Sequence, residues 1–150
     1  MADNKKTDPM EVDTCVRLLN QALSMQHRSV LQYTMAAGGV AGLEFVGLAD
    51  RLWDYAQAEL ADGRRMVEKI SALGGEPTTT VKKVATATAA KKAAALLIES
   101  EREAIAKLHD VIPHTGQEPR SEALEHFLEH VISRKQEQVD QLLRAIGQTE

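Results

Sequence analysis

Apolar residues recur along this chain at alternating spacings of three and four, which is the pattern of amphipathic α-helices. The pattern runs in four segments, and the breaks between them contain proline or glycine, the residues that most often interrupt helices. The first segment follows Asp8-Pro9-Met10-Glu11, which predicts an N-cap at Asp8 and a proline at the first helical position. It runs to Ala36-Ala37, and Gly38-Gly39 is expected to stop it. The other three helices are predicted over 43–73, over 91–112 and over 119–146 or 121–146.

The connections between the predicted helices differ in length. Short turns join the first helix to the second and the third to the fourth, whereas a polar, Thr-rich segment over 76–90 joins the second to the third. This wiring predicts an all-α, up-down-down-up four-helix bundle with a long crossover between helices 2 and 3. We expect one bundle domain over 9–147, a flexible N-terminal tail over 1–8 and a short C-terminal tail over 148–150.

The composition agrees with a helical protein and also indicates in which compartment it is found. The 150 residues are 43% apolar and 3% aromatic, which is typical of packed helices rather than of a sheet. A net charge of −4 gives no general attraction to nucleic acid or to an anionic membrane. No apolar run approaches the length that crosses a bilayer, no signal peptide is evident, and Cys15 is the only cysteine. These features favour a cytoplasmic protein that does not bind membranes.

The inward-facing seam of each predicted helix is apolar at both ends and polar near the middle. When the four seams are packed together, six polar side chains converge at one level of the bundle: Gln26, Glu59, Asp62, Glu101, Lys135 and Gln138. Tyr33 follows Gln26 on the seam of the first helix. Burying a charge costs free energy unless the charge is paired or bound to a metal. The sequence therefore predicts a metal site or a buried ionic network in the middle of the bundle.

Several segments of the chain resemble the ferritin superfamily, and most closely bacterioferritin and the Dps miniferritins. The helices contain LLNQALSMQHRSVLQY, ADRLWDYAQAELAD, LIESEREAIAKLHD and SRKQEQVDQLL, which are similar to the four bacterioferritin helices. The segment LGGEPTTT is similar to the turn after the second Dps helix. The resemblance implies a ferritin-like bundle, iron as the cofactor, Fe(II) oxidation or storage, and a homo-oligomer that ranges from a dimer to a cage of twelve or twenty-four subunits.

The resemblance also implies four candidate metal ligands, which together form an incomplete di-iron site. Gln26 stands where the family has a ligand Glu. Glu59 and Asp62 stand at a Glu-x-x-His pair, and Glu101 stands where a Glu bridges two metal ions. Two of the four positions keep the family's residue type, and Asp62 remains a carboxylate.

Lys135 and Gln138 occupy the positions of the family's second Glu-x-x-His pair, so the site lacks histidine and gains an ammonium group. Lys135 is expected to pair with the carboxylates and to form a core polar network with Gln138 and Tyr33. Three carboxylates against one lysine leave negative charge, which protonation of one carboxylate or binding of one weak cation neutralises. Alternatively, the long stem of Lys135 carries its head group outward to solvent, which opens the metal site again.

Two functions stay open at this point. The first is iron handling of the bacterioferritin or Dps type, with a ferroxidase centre that Lys135 impairs. The second is a non-catalytic structural or partner subunit with a metal-free core. Haem is not expected, because Leu60 stands where bacterioferritin has its haem-ligating Met. His126 and His130 are expected on a solvated face, and the scattered lysine pairs are too weak to predict DNA binding.

Overall fold

The computed structural model describes residues 8–42 and 45–147. It contains four long helices, which we number α1 (Val12–Gly39), α2 (Val46–Ala72), α3 (Ala90–Val111) and α4 (Ser121–Ala145). A short 3₁₀ helix, Ile112–His114, follows α3. Helix α1 packs against α2 and α3, and α3 packs against α4, so the predicted all-α bundle is confirmed. Outside the described residues lie residues 1–7 of the N-terminal tail predicted over 1–8, the C-terminal tail predicted over 148–150, and residues 43–44 of the second predicted helix.

The start of α1 differs from the prediction. The helix begins at Val12, and Glu11 precedes it without a side-chain cap, so the N-cap predicted at Asp8 is wrong. The backbone before α1 pairs instead with the connection between α3 and α4. The Glu11 amide donates to the His114 carbonyl at 3.0 Å, and the Asp8 carbonyl accepts from the Gln117 amide at 2.7 Å. These hydrogen bonds, to residues about a hundred positions away in the sequence, take the place of a first helical turn.

The crossover strap, residues 73–89, lies along the outer surface of α1. Asn20 anchors its first part, because its side chain donates to the Glu76 carbonyl at 3.0 Å and accepts from the Thr78 amide at 2.8 Å. Further along, the Lys82 amide donates to the Ser24 carbonyl at 3.1 Å. The Ala85 amide donates to Gln32 Oε1 at 2.9 Å. The strap therefore spans much of the length of α1, as expected for a link between two parallel helices.

The apolar core is divided into two clusters along the bundle. One cluster includes Leu19, Met66 and Leu128, and the other includes Leu52 and Leu142. A polar level separates them, in agreement with seams that are apolar at both ends. No helix in the described part of the chain is long and apolar enough to span a membrane.

Candidate functional site

All six polar side chains that the seams bring together are buried in the structure. Their exposed fractions are 1% for Gln26, 0% for Glu59, 4% for Asp62, 1% for Glu101, 0% for Lys135 and 3% for Gln138. Each of the four helices contributes at least one of them. We call these six residues and Arg134, which joins them as described below, the polar cluster.

Lys135 lies at the centre of the polar cluster. Its ammonium Nζ donates to Glu59 Oε1 at 2.9 Å and to Glu59 Oε2 at 3.1 Å. It also donates to Glu101 Oε1 at 2.9 Å. Because the side chain is 0% exposed, its head group does not extend to solvent. Lys135 therefore forms buried ion pairs with Glu59 of α2 and Glu101 of α3. This is the pairing with carboxylates expected from the sequence, and not the alternative in which the head group reaches solvent.

Arg134 is the functional residue that sequence reasoning missed. Its Nε donates to Asp62 Oδ2 at 2.6 Å, and its Nη2 donates to Glu59 Oε2 at 2.8 Å. A third hydrogen bond links its Nη1 to Gln138 Oε1. The side chain remains 19% exposed, so it closes the polar cluster at its outer edge. The only sequence signal for this role is its position next to Lys135, from which a long stem can bend inward.

The two glutamines complete the polar cluster. Gln138 Nε2 donates to Glu101 Oε2 at 2.7 Å, to Glu59 Oε1 at 3.2 Å and to the Tyr33 hydroxyl at 3.2 Å. Gln26 Nε2 donates to the Glu59 carbonyl at 2.8 Å and also to Glu59 Oε2. Gln26 Oε1 has no hydrogen-bond partner among the described residues. Glu59 is therefore the hub of the cluster, since it accepts from α1 and α4 together.

The charges of the cluster are close to balanced once one carboxyl group holds a proton. Burial opposes ionisation of Glu59, but Lys135 and Arg134 outweigh it and lower the pKa of this carboxyl to about 2. Burial and the neighbouring Glu59 charge raise the pKa of Glu101 to about 7. The carboxylates of Glu101 and Glu59 overcome burial and raise the pKa of Lys135, which stays an ammonium. Glu101 is therefore the carboxyl group that carries the exchangeable proton.

The residues of the polar cluster do not fit a di-iron centre. Both oxygens of Glu59 and both oxygens of Glu101 already accept hydrogen bonds from Lys135 or Gln138. In the part of the chain that the structure describes, no imidazole enters the cluster. His130, whose Nε2 lies 4.0 Å from Asp62 Oδ1, is more than half exposed. Within the described residues, no group of three or more His, Cys, Asp or Glu could hold a metal ion. Two iron ions need carboxylates and imidazoles whose oxygen and nitrogen lone pairs are free.

The remaining candidate residues lie outside the polar cluster. His126 is exposed on α4, as expected from the sequence. His27 is half-buried, and its Nε2 lies 3.1 Å from the Thr78 carbonyl of the crossover strap. Leu60 is 62% exposed on α2, beside a groove of about 700 Å³ between α1 and α2. Gln26 lines this groove, which therefore reaches the edge of the polar cluster.

Comparison with known proteins places the fold. The Ferritin-like domain family matches residues 16–150. One solved structure is described as ferritin like, diiron-carboxylate proteins from Bacillus anthracis str. Ames. It is 23% identical in sequence, the alignment covers 91% of this chain and 97% of that chain, and the TM-score is 0.85. The dodecameric thioferritin of Bacteroides fragilis, a bacterioferritin-related protein, is 19% identical, covers 91% and 86% respectively, and has a TM-score of 0.82. None of the curated proteins compared matches the chain.

Proposed function

Because this chain belongs to the ferritin-like domain family, we propose that it takes part in iron handling as a subunit whose own core does not oxidise Fe(II). The observation that carries this proposal is Lys135, whose buried ammonium pairs with both Glu59 and Glu101. In the resemblance to bacterioferritin these two residues stand at ligand positions. The amine of Lys135 therefore takes the place of metal ions between them.

Electrostatics favours the ammonium over iron at this position. Two unit charges about 4 Å apart interact by roughly 4 kcal/mol at an effective dielectric constant of about 20. Repulsion between Lys135 and a divalent cation is roughly twice as large on the same basis. Arg134 adds a second positive charge beside Glu59 and Asp62. An Fe(II) ion would have to displace both cations before it reached free carboxylate oxygens.

In other four-helix bundles, side chains of facing helices meet at a metal centre in the core. In this chain the helices meet at the polar cluster, which has the structural role of that centre. Glu59 of α2 accepts hydrogen bonds from Gln26 of α1 and from Lys135 of α4. Lys135 also donates to Glu101 of α3. The network therefore links all four helices at mid-height. A protein of this kind contributes a ferritin-fold shell or a partner surface, while Fe(II) oxidation takes place elsewhere.

We also propose that the chain forms a homo-oligomer. One structural neighbour is described as dodecameric, which supports assembly within this fold. Large apolar side chains exposed on α1 and α2, among them Met35, Trp53 and Leu60, support it independently. The cytoplasmic location and the absence of haem and of DNA binding stay predictions from the sequence.

The experiment that tests the core is metal analysis after anaerobic loading. The purified protein is incubated with excess Fe(II), desalted and assayed for iron per subunit, and oxygen consumption is then recorded on adding Fe(II). We expect well under one tightly bound iron per chain and an oxidation rate equal to that of Fe(II) in buffer. Near two irons per chain with faster oxidation would overturn the proposal. Gln26, Glu59, Asp62 and Glu101 would then be ligands of a working ferroxidase centre.

A further inference from the structure

His126 and His130 lie one turn apart on the solvent side of α4. The chain has five histidines, and these are the only two that stand four residues apart in the sequence. Side chains four apart are neighbours on the surface of a helix. Both are accessible, because the side chain of His126 is 71% exposed and that of His130 is 54% exposed. Two helical imidazoles at this spacing form a pair that binds one metal ion from two sides.

The backbone that carries the two imidazoles is held in place by the core. Leu124, Phe127, Leu128 and Val131 of the same stretch of α4 are at most 3% exposed and belong to one apolar cluster. The helix therefore does not need to form when a metal ion arrives. Only the two exposed side chains lose rotational freedom on binding, which keeps the entropic cost of chelation low.

The charges around the pair favour a cation. Residues 121–130 include three glutamates and contain neither lysine nor arginine. His126 Nε2 lies 3.8 Å from Glu122 Oε1, and His130 Nε2 lies 4.0 Å from Asp62 Oδ1. Each imidazole therefore has a carboxylate beside it. Carboxylates next to ligating histidines orient the ring and make its nitrogen a better ligand.

Arg134 does not oppose a cation at this place with its full charge. It lies one turn beyond His130 on α4, and its guanidinium pairs with Asp62 at 2.6 Å and with Glu59 at 2.8 Å. Its Nε donates to Asp62 Oδ2, so the other oxygen of this carboxylate is the one near His130. The two carboxylates offset the guanidinium charge.

We propose that His126 and His130 form a surface site for a divalent transition-metal ion such as Ni²⁺, Cu²⁺ or Zn²⁺, with water in the remaining coordination positions. Imidazole nitrogen suits these ions, whereas Mg²⁺ and Ca²⁺ prefer oxygen ligands. Two protein ligands hold an ion less firmly than the four of a closed structural site, so the ion exchanges with solution. The site lies outside the polar cluster and does not depend on the proposed function.

Calorimetric titration with Zn²⁺ tests the pair. The full chain without an affinity tag is titrated at neutral pH, together with His126→Gln and His130→Gln. We expect one site per chain in the unaltered protein and at least tenfold weaker binding in each variant, because loss of one imidazole removes the chelate. His109→Gln is the matched control, since His109 is an exposed histidine of α3, and it should bind as the unaltered protein does.

Spectroscopy with one equivalent of Cu²⁺ counts the ligands directly. The electron paramagnetic resonance signal of Cu²⁺ is split by each nitrogen bound to it. We expect splitting from two imidazole nitrogens in the unaltered protein and in His109→Gln, and from one in His130→Gln. Splitting from a single nitrogen in the unaltered protein would mean that the two histidines bind separately, and it would overturn the chelate.

The calorimetric outcomes also decide against the site when they differ from expectation. No saturable Zn²⁺ binding at millimolar concentration would reject it. An equal loss of affinity in His109→Gln and in the two α4 variants would assign the binding to scattered surface histidines and reject it as well. The iron content after desalting is a separate measurement, because it reports tightly bound metal in the core, so either proposal can fail while the other stands.

Discussion

Arg134 and Lys135 are consecutive residues of α4, and both donate hydrogen bonds to the Glu59 carboxylate of α2. Neighbouring residues of a helix point about 100° apart, so only long stems allow both head groups to reach one partner. Lys135 approaches from the core, where it is 0% exposed, and Arg134 approaches from the rim, where it is 19% exposed. Together they surround Glu59 with positive charge and hold it ionised.

Removing the central charge should destabilise the bundle. Lys135→Met keeps the length of the side chain but leaves Glu59 and Glu101 without their shared cation. We expect a loss of about 3 kcal/mol in the free energy of unfolding, measured by urea titration, because breaking a buried ion pair leaves an uncompensated charge. Lys107→Met is the control, since Lys107 forms a 3.6 Å pair with Asp110 at the surface and should cost less than about 1 kcal/mol.

A second substitution distinguishes lost charge from lost packing. Adding Glu101→Gln to Lys135→Met removes one of the two carboxylates and leaves Glu59 paired with Arg134. Most of the lost stability should return in this double variant. Equal stability of the single and double variants would mean that the charge of Glu101 is not what destabilises Lys135→Met.

Restoring a carboxylate at position 135 should create affinity for divalent cations. Lys135→Glu changes the charge of the polar cluster by two units and releases the oxygens of Glu59 and Glu101. We expect at least tenfold tighter binding of Co²⁺, which reports its coordination by visible absorption and does not need oxygen. Arg134→Ala is the comparison, and it should gain little because Lys135 still holds both carboxylates. Unchanged affinity in Lys135→Glu would contradict the role given to this lysine.

Much of this site could be predicted from the sequence, because its signal is local to each helix. Periodicity identifies which face of a helix points inward, and polar residues on that face identify the level of the cluster. Arg134 could not be predicted in this way. It lies off the inward seam, and its guanidinium turns toward the core because Asp62 and Glu59 lie on a neighbouring helix. The contacts that a long side chain makes with other helices leave no periodic pattern in the sequence around that residue.

The fold shows the same limit. The helix ends at Gly39, Ala72, Val111 and Ala145 lie within about two residues of the predicted ends, because proline and glycine act locally. The start of α1 lies at Val12 rather than near Pro9, because the preceding backbone pairs with His114 and Gln117. Partners about a hundred residues away in sequence cannot be found from a capping motif.

Glu101 and Glu59 should make the free energy of unfolding depend on pH in opposite directions. The pKa of Glu101 is raised from 4.5 to about 7, so its contribution is full below pH 4.5 and is lost as the pH rises through 7. The pKa of Glu59 is lowered from 4.5 to about 2, so its contribution is full above pH 4.5 and is lost as the pH falls toward 2. Between pH 5 and 8 the Glu101 effect governs, and stability should decline.

Glu101→Gln tests this assignment, because an amide cannot titrate. Urea midpoints are measured between pH 5 and 8, and the decline of the unaltered protein should be reduced in the variant by on the order of 3 kcal/mol. Glu103→Gln is the control. Hydrogen bonding to Lys82 lowers the pKa of Glu103, so this residue affects stability only at acidic pH. An equal decline in Glu101→Gln and the unaltered protein would assign the titration to another group.

Two glycines should respond in opposite ways to alanine. Gly63 lies inside α2, and a Cβ there would meet only Gln26 Cγ at 3.5 Å, an ordinary van der Waals contact. Gly63→Ala should therefore stabilise the protein by about 0.5–1 kcal/mol through helix propensity.

Gly116 has φ of +68°, and its Cβ would lie 2.6 Å from the Pro9 carbonyl carbon and oxygen. Gly116→Ala should cost more than about 1 kcal/mol, because it adds backbone strain and separates the segment before α1 from the connection between α3 and α4. Thermal unfolding of both variants measures the contrast. A stabilising Gly116→Ala would show that the close approach of Pro9 to this turn does not contribute to the native fold. The reason given for the start of α1 at Val12 would then fail as well.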